Sequence, residues 1–348
     1  MVKKLKLINF RGVKEGELEL GDLTILVGSN NSAKTTILEA LFLAPNPLRF
    51  VPYILPSDPS GKTSTAALIV HEMHKTLNGD GYAFLLYKYI AEKAIIQWDD
   101  IELKLIKHGD NILLVDNKNI FHNYNTVYIS GKDLRFFGLL GLSSKSSWTN
   151  ERNREILLMP ESLLISSELI KFAQWYIYSN WAYIANCGIP IEVAEDISHF
   201  VNEDYINITI EPFLAGKLAI FGLLKDGSRI RLGDLGAGTQ VYIISRILYE
   251  LKKPQILLWD DVESHMNPRM LIRIAEWFSE LVENGVQVVV TTHSLEAVRI
   301  LAEFNRNATI YITSLENGVL KTKKLTIDDV ENLLSAGIDI RMIGATVL

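Results

Sequence analysis

The chain holds a single cysteine, Cys187, in 348 residues. One thiol cannot build an internal disulfide framework or a cysteine-ligated metal cluster, and such usage fits a reducing compartment. Basic residues are not in excess: 35 Lys+Arg stand against 41 Asp+Glu, a formal net charge of −6. No global positive field draws the protein onto nucleic acid or anionic lipid, so any such contact has to come from local clusters. No uninterrupted apolar run approaches the ~18 residues of a membrane helix. The start MVKKLKLINFRG lacks the apolar core of a signal peptide. A cytoplasmic protein without a membrane partner is expected. Proline is scarce outside one stretch: Pro45, Pro47, Pro52, Pro56 and Pro59 are five of its ten. Residues 45–60 therefore read as a loop over the surface. Apolar residues are abundant, 48% of the chain, and suffice for a large core.

The most informative stretch is LTILVGSNNSAKTTILEA, from Leu23 to Ala40. An apolar strand breaks at Gly28, crosses a short polar loop and enters a helix at Lys34-Thr35-Thr36. Loop N–H groups and the positive end of the helix then point at one place, where an anion is held. In this pattern Lys34 reaches the β- and γ-phosphates and the Thr35 hydroxyl sits on Mg²⁺. One residue departs from the pattern, Ala33 in place of glycine. Because the position enters a helix, alanine is favoured there by up to ~1 kcal/mol if φ is negative.

Around this stretch, alternating residues give strands from Leu5 to Phe10 and from Glu17 to Leu20. A helix is expected from Thr65 to about Leu77. Its His71, Glu72 and His74 have the wrong spacing for a zinc protease and read as a solvated face. Gly61-Lys62-Thr63 has no strand before it and reads as loop. Tyr82–Tyr89, Ala94–Trp98, Ile101–Ile106, Ile112–Val115 and Thr126–Ile129 read as an antiparallel meander. From Pro160 to about Asn202 the pattern is helical, and Trp175, Tyr176, Tyr178, Trp181 and Tyr183 are read as filling an interface between two helices. Strands follow at Tyr205–Ile210, Lys217–Leu224 and Arg229–Leu232. A helix then opens after Asp234-Leu235-Gly236-Ala237-Gly238-Thr239-Gln240.

Two further strands end on polar groups. Ile256–Trp259 delivers Asp260 and Asp261, carboxylates that need cations or donors at the end of a buried strand. Mg²⁺ of a bound nucleotide is such a cation, and a neighbouring carboxylate can orient the attacking water. Capping of the helix from Asn267 is the alternative for this pair. Gln287–Val290 ends on Thr291-Thr292-His293-Ser294. In an open α/β sheet, C-terminal strand edges converge on one ligand crevice.

Taken in order, five segments resemble the ABC-class ATPases of the SMC/RecF/OLD type, soluble relatives of the transporter ATPases. They are INFRG (8–12), GSNNSAKTT (28–36), LGAGTQ (235–240), LLWDDVESHMNP (257–268) and TTHS (291–294). Ile338-Asp339-Ile340-Arg341 is similar to the OLD-like group of AAA-domain ATP-binding proteins. The resemblance implies an α/β P-loop NTPase, an ABC-type head with a mixed central sheet, an antiparallel β subdomain and a helical insertion. One head would span the chain, as an N-terminal lobe (1–130), the insertion (131–205) and a C-terminal lobe (206–348).

The resemblance also implies roles. Gly28, Ser29, Asn30, Asn31, Ser32, Ala33, Lys34, Thr35 and Thr36 form the Walker A loop for ATP, with Arg11 near the nucleotide. Thr35 and Asp260 hold Mg²⁺. Asp261 positions water, and His293 is the switch histidine near the γ-phosphate. Gly236, Ala237, Gly238, Thr239 and Gln240 reach the nucleotide of a second subunit, and Glu263 and His265 fall at the dimer interface. Asp261 replaces the usual glutamate and is one methylene shorter, which displaces a water by about 1 Å and can cost ~100-fold in rate. Gly236 replaces the serine of the transporter signature, leaving N–H groups, the helix dipole and Thr239 to meet phosphate. Neither Gln97 nor Gln174 fits the family's coupling glutamine.

The expectation is a slowly hydrolysing ATPase that closes into a homodimer around ATP, in nucleic-acid maintenance or defence. Closure would move residues 145–205 against a protein partner, and DNA contact would fall to Lys3, Lys4 and Lys6 or Arg152 and Arg154. The alternative is a nucleotide-gated scaffold, or a regulatory subunit of a nuclease or toxin partner, with little turnover. A transporter subunit fits less well. The stretch from His293 to Leu348 is too short for a nuclease domain, so a nuclease is expected on a separate chain.

Overall fold

Residues 4–19 alternate in polarity and form β1 (Lys4–Phe10) and β2 (Val13–Glu19), an antiparallel pair that turns Leu5, Leu7, Val13 and Leu18 inward. The computed structural model describes residues 1–44, 46–56, 63–75, 77, 82–109, 111–117, 127–129, 161–201 and 203–341. The buried run β3 (Leu23–Val27) feeds α1 (Lys34–Leu43) through the phosphate-type loop. Thr65 starts α2 (Ala66–His74) by accepting a hydrogen bond from the Leu68 N–H. Then come β4 (Lys93–Trp98), β5 (Ile101–His108), β6 (Asn111–Asp116) and β7 (Val127–Ile129). The middle of the chain gives β8 (Ser162–Ile165), α3 (Ile170–Ser179), α4 (Trp181–Asn186) and α5 (Ile189–Ser198). A separate antiparallel sheet comes next, β9 (Tyr205–Pro212), β10 (Leu218–Leu224) and β11 (Arg229–Arg231).

The last third alternates helix and strand: α6 (Ala237–Lys252), β12 (Ile256–Trp259), α7 (Pro268–Glu283), β13 (Gln287–Thr292) and α8 (Leu295–Phe304). It closes on β14 (Thr309–Glu316), β15 (Val319–Leu325) and α9 (Ile327–Ser335). Asn267 and Ser294 cap α7 and α8 with their own side chains. The carboxylates of Asp260 and Asp261 are therefore free of a capping duty.

Among the described residues, twelve strands form one sheet in the order β7-β6-β5-β4-β1-β2-β15-β14-β3-β13-β12-β8. The half from β14 to β8 is parallel, and its strands are buried along nearly their whole length because helices cover them. The other half is mostly antiparallel, so the β4–β7 meander extends the main sheet. Register sets Val27 beside Thr292, and Trp259 beside both Val290 and Ile165. The C-terminal ends of β3, β13 and β12 thus lie side by side, and the three segments that leave them share one crevice.

Four expectations need correction. Residues 162–165 are a core strand parallel to β12 and not helix; a short apolar run does not declare its period. The helices between β8 and β9 therefore begin at Ile170. Tyr82–Tyr89 makes two short helical turns, with Lys88 and Tyr89 at positive φ, and not a strand. Residues 46–56 of the proline-rich stretch do not simply run over the surface: Val51, Tyr53 and Leu55 are buried. Its backbone is satisfied inside, by Val51 N–H to Ser64 O and Ile54 N–H to Phe172 O, and the Tyr53 hydroxyl donates to Leu164 O. Finally, Trp175 (61% exposed), Tyr178 (43%) and Tyr183 (59%) face solvent and do not fill a helix interface. Ile170, Ala173, Ile177 and Ile184 pack inward in their place. Lys132, Arg135, Lys145, Arg152, Arg154 and Gly61-Lys62 lie outside the described residues.

One charged cluster ties the helical segment to the rest. Asp196 of α5 is buried and meets Arg246 of α6 at 2.9 Å and Arg273 of α7 at 2.5 Å. The Tyr242 hydroxyl donates to the same carboxylate at 3.2 Å.

Candidate functional site

The loop after β3 wraps a lysine. The Lys34 ammonium donates to Gly28 O at 3.0 Å, Ser29 O at 2.9 Å and Ser32 Oγ at 3.3 Å. Burial lowers its pKa, opposed by the carboxylates of Asp261, Asp260 and Glu263, so Lys34 lies in their field. Ser29, Asn30 and Asn31 form the exposed crest, while Ser32, Ala33, Lys34 and Thr36 are buried. A Cβ at Gly28 would run into the Thr313 carbonyl of β14, so glycine is a steric requirement there. Asn31 and Ala33 both sit at positive φ, 61° and 70°. Ala33 is thus left-handed, contrary to the expected helical φ, and the position is one where glycine is at ease.

Thr35 is the bridge to β12. Its hydroxyl lies 3.1 and 3.2 Å from the two carboxylate oxygens of Asp260. The Thr291 hydroxyl of β13 donates to Asp260 Oδ1 at 2.6 Å and accepts from the Asp261 N–H at 2.7 Å. Burial, with Asp261 beside it, holds the Asp260 pKa above its usual value, and the two hydroxyl donors only partly offset that. Asp261 itself adopts φ 48°, which turns its half-exposed carboxylate out of the strand line. Its Oδ1 lies 3.9 Å from His293 Nε2. The His293 N–H donates to Glu263 Oε1 at 2.6 Å, and the Arg341 guanidinium donates to His293 O at 3.4 Å. Arg341 is held by Asp339, so the Ile338–Arg341 segment closes over the His293 turn.

The 235–240 segment stands elsewhere. Gly236 and Ala237 are exposed at the N-terminus of α6, which has no side-chain cap. Thr239 is buried, and Gln240 spends its amide on Leu235 O at 2.8 Å. Gly238 packs so tightly on the His265 carbonyl that a Cβ would collide with it. Among the described residues, no hydrogen bond or ion pair links this segment to residues 28–36. Arg11, just after β1, is also not free. Its guanidinium makes an ion pair with Glu39 of α1.

A family model described as "AAA domain, putative AbiEii toxin, Type IV TA system" matches residues 102–299, more than half of the chain. The chain belongs to this AAA family. A second model, an AAA ATPase domain, matches residues 1–162 of the same AAA protein. The fold is that of an SMC head: the chain is similar to an SMC head solved with the C-winged helix domain of ScpA, at TM-score 0.54 and 15% identity, covering 95% of this chain and 99% of that one. A Thermotoga maritima SMC head aligns at TM-score 0.45 and 14% identity, over 93% of this chain and 98% of that one. Over 44 residues, 12% of this chain, it is 48% identical to the uncharacterised Methanocaldococcus jannaschii protein MJECL10. That match spans 20% of the MJECL10 sequence, about a fifth of its length.

In this AAA protein, four site contributors had no role assigned from sequence. Thr291 ties the Asp260 carboxylate to the Asp261 backbone, and its place two residues before His293 was the available signal. Glu39 and His74 had none: a glutamate inside a helix and a histidine at a helix end look like solvated residues. Glu39 is instead fully buried, and His71 packs beside Tyr82 and Phe84, so the solvated-face reading of α2 fails. Arg341 was marked only by its motif. Among the described residues no group of three or more His, Cys, Asp and Glu is placed to hold a metal by itself, and no helix is long and apolar enough to cross a membrane.

Proposed function

We propose that this AAA-family chain binds Mg-ATP on residues 28–36, hydrolyses it slowly and uses it as a dimerisation switch. What carries this reading is the convergence of Lys34, Thr35, Asp260, Asp261 and His293 at three neighbouring strand ends, with the Thr35 hydroxyl 3.1 Å from Asp260. Thr35 and Asp260 would hold Mg²⁺, an oxygen donor set that suits a hard cation. The ion, when bound, neutralises phosphate charge. Lys34 would exchange loop carbonyls for phosphate oxygens, and Arg11 would add a second cation. Asp261 and His293, 3.9 Å apart, would orient a water beside the terminal phosphate, and the short Asp261 supports slow turnover.

The exposed N-terminus of α6 supports dimerisation, because its uncapped N–H groups are open to an anion carried by a second molecule. The face bearing Trp175, Tyr178 and Tyr183 is offered to a protein partner, and exposed Lys3, Lys4 and Lys6 to nucleic acid. Of the two settings, nucleic-acid maintenance and defence, the toxin-system wording of the family supports defence. Size-exclusion chromatography with and without Mg-ATP is the test: a dimer with ATP, absent in Lys34→Ala, is expected. A monomer under both conditions would refute the switch. The second reading, a scaffold that binds ATP without turnover, is favoured by Asp261 standing where a glutamate is usual. Phosphate release from Asp261→Glu beside the parent separates the two.

A further inference from the structure

Arg11 belongs to a buried cluster assembled from three separate elements. Glu39 lies one helical turn after Thr35 on α1, and its side chain is 0% exposed. Arg11 follows β1 at φ 53° and is fixed by its N–H to Leu85 O at 3.0 Å. Its guanidinium meets one Glu39 oxygen, and its Nη2 lies 3.3 Å from His74 Nδ1. His74, the last residue of α2, presents Nε2 to the other Glu39 oxygen. Phe84 walls the cluster, with the guanidinium 6.0 Å from its ring centroid and the His74 ring 5.9 Å away.

The three groups form a closed ring of donors and acceptors. A neutral imidazole satisfies it, with Nε2–H donating to Glu39 and Nδ1 accepting from Arg11. Burial and the Arg11 charge push the His74 pKa down to about 4, which keeps that neutral form. Burial also pushes Arg11 down to about 10, and the opposing contribution from Asp260 places the guanidinium within the field of the phosphate-site carboxylate. A carboxylate this buried is costly unless fully paired, and here Arg11 and His74 pair it one helical turn from Thr35 of the phosphate loop.

We propose that Glu39 and His74 are positioning residues for Arg11, holding its guanidinium beside the phosphate loop so that it meets the phosphate oxygens of bound nucleotide. The inference rests on the ATP-site reading above. Through His74 it makes α2 part of that site, although α2 supplies no ligand itself. A free arginine on a mobile turn would lose side-chain entropy each time it met phosphate. An arginine already oriented by Glu39 and His74 loses less, so its contact counts for more.

The test compares the full chain with its Arg11→Ala, His74→Phe, His74→Gln and Arg11→Ala/His74→Phe forms. Readouts are binding of a fluorescent ATP analogue, steady-state kcat and KM for ATP, and the melting temperature. Arg11→Ala and His74→Phe are each expected to weaken nucleotide binding about tenfold, the size of one charge-assisted hydrogen bond. The double variant should be no weaker than Arg11→Ala alone, because His74 acts through Arg11. His74→Gln, which keeps one donor and one acceptor, should recover most of the loss. Additive losses in the double variant, or a lower melting temperature with binding unchanged, would overturn the positioning role. Lys34→Ala keeps the two readings apart. If the parent binds the analogue, Lys34→Ala does not, and His74→Phe matches the parent, only the positioning role falls. If the parent binds none, both fall.

Discussion

Replacing Ala33 with glycine tests the phosphate loop with a definite sign. Ala33 stands at φ 70°, ψ 13°, the left-handed region, while its carbonyl already accepts the first hydrogen bond of α1 from Ile37 N–H at 3.0 Å. An L-residue with a Cβ in that region carries roughly 1–2 kcal/mol of strain. Glycine removes the strain but frees the unfolded chain, which takes back ~0.4–1 kcal/mol. The net expectation for Ala33→Gly is a stabilisation of ~0.5–1 kcal/mol. For a chain of this length that is only ~1 °C in melting temperature, so a urea midpoint at fixed slope is the better measure. Had Ala33 been an ordinary helical residue, glycine would cost about 1 kcal/mol instead. The two geometries thus differ in sign as well as size. A urea midpoint that drops in Ala33→Gly would refute the left-handed loop.

Asp196→Asn is expected to destabilise by ~1.5–3 kcal/mol in the same assay, because it removes the carboxylate that Arg246 and Arg273 share and leaves them only the more exposed Glu250, Glu276 and Glu280. A loss under about 1 kcal/mol would show that α5 is not fastened to α6 and α7 through this charge. His74 gives a pH prediction. Its pKa near 4 in the folded chain lies below the ordinary value of 6.5, so only the unfolded chain gains a proton as pH falls. The His74 contribution is therefore full above pH ~6.5 and lost progressively down to pH ~4. The shift corresponds to ~3 kcal/mol, or ~2 kcal/mol once the 30% exposure of the ring is allowed for. The groups facing His74 are Arg11, Glu39, Glu168 and Asp260. Urea midpoints for the parent and His74→Gln should converge between pH 7 and pH 4, and a constant gap would refute the linkage.

Much of the architecture is written in local patterns. Strands β1, β3, β4 to β6, β9, β10, β12 and β13 follow from runs of branched and aromatic residues, α6 from apolar residues at helical spacing, and the start of α7 from its Asn267 cap. The phosphate loop, the carboxylates after β12 and the TTHS turn were also readable, because each is a continuous stretch whose chemistry follows from residue type and order. β8 was not. Four apolar residues carry no period, and only the neighbouring Ile256–Trp259 makes them a strand. The proline-rich stretch was misread for a related reason. Proline forbids helix locally, but burial of Tyr53 depends on β8 and α3 lying above it.

Tertiary structure alone decided the rest. The left-handed φ of Ala33 is set by how β3 and α1 must join, which residue type does not reveal. That Glu39 and His74 surround Arg11 follows from packing α2 against α1 at the end of β1, across sequence separations no short pattern spans. Local order fixes which groups a stretch carries. Long-range packing fixes which of them meet, and whether a charge ends in solvent or in a buried ring.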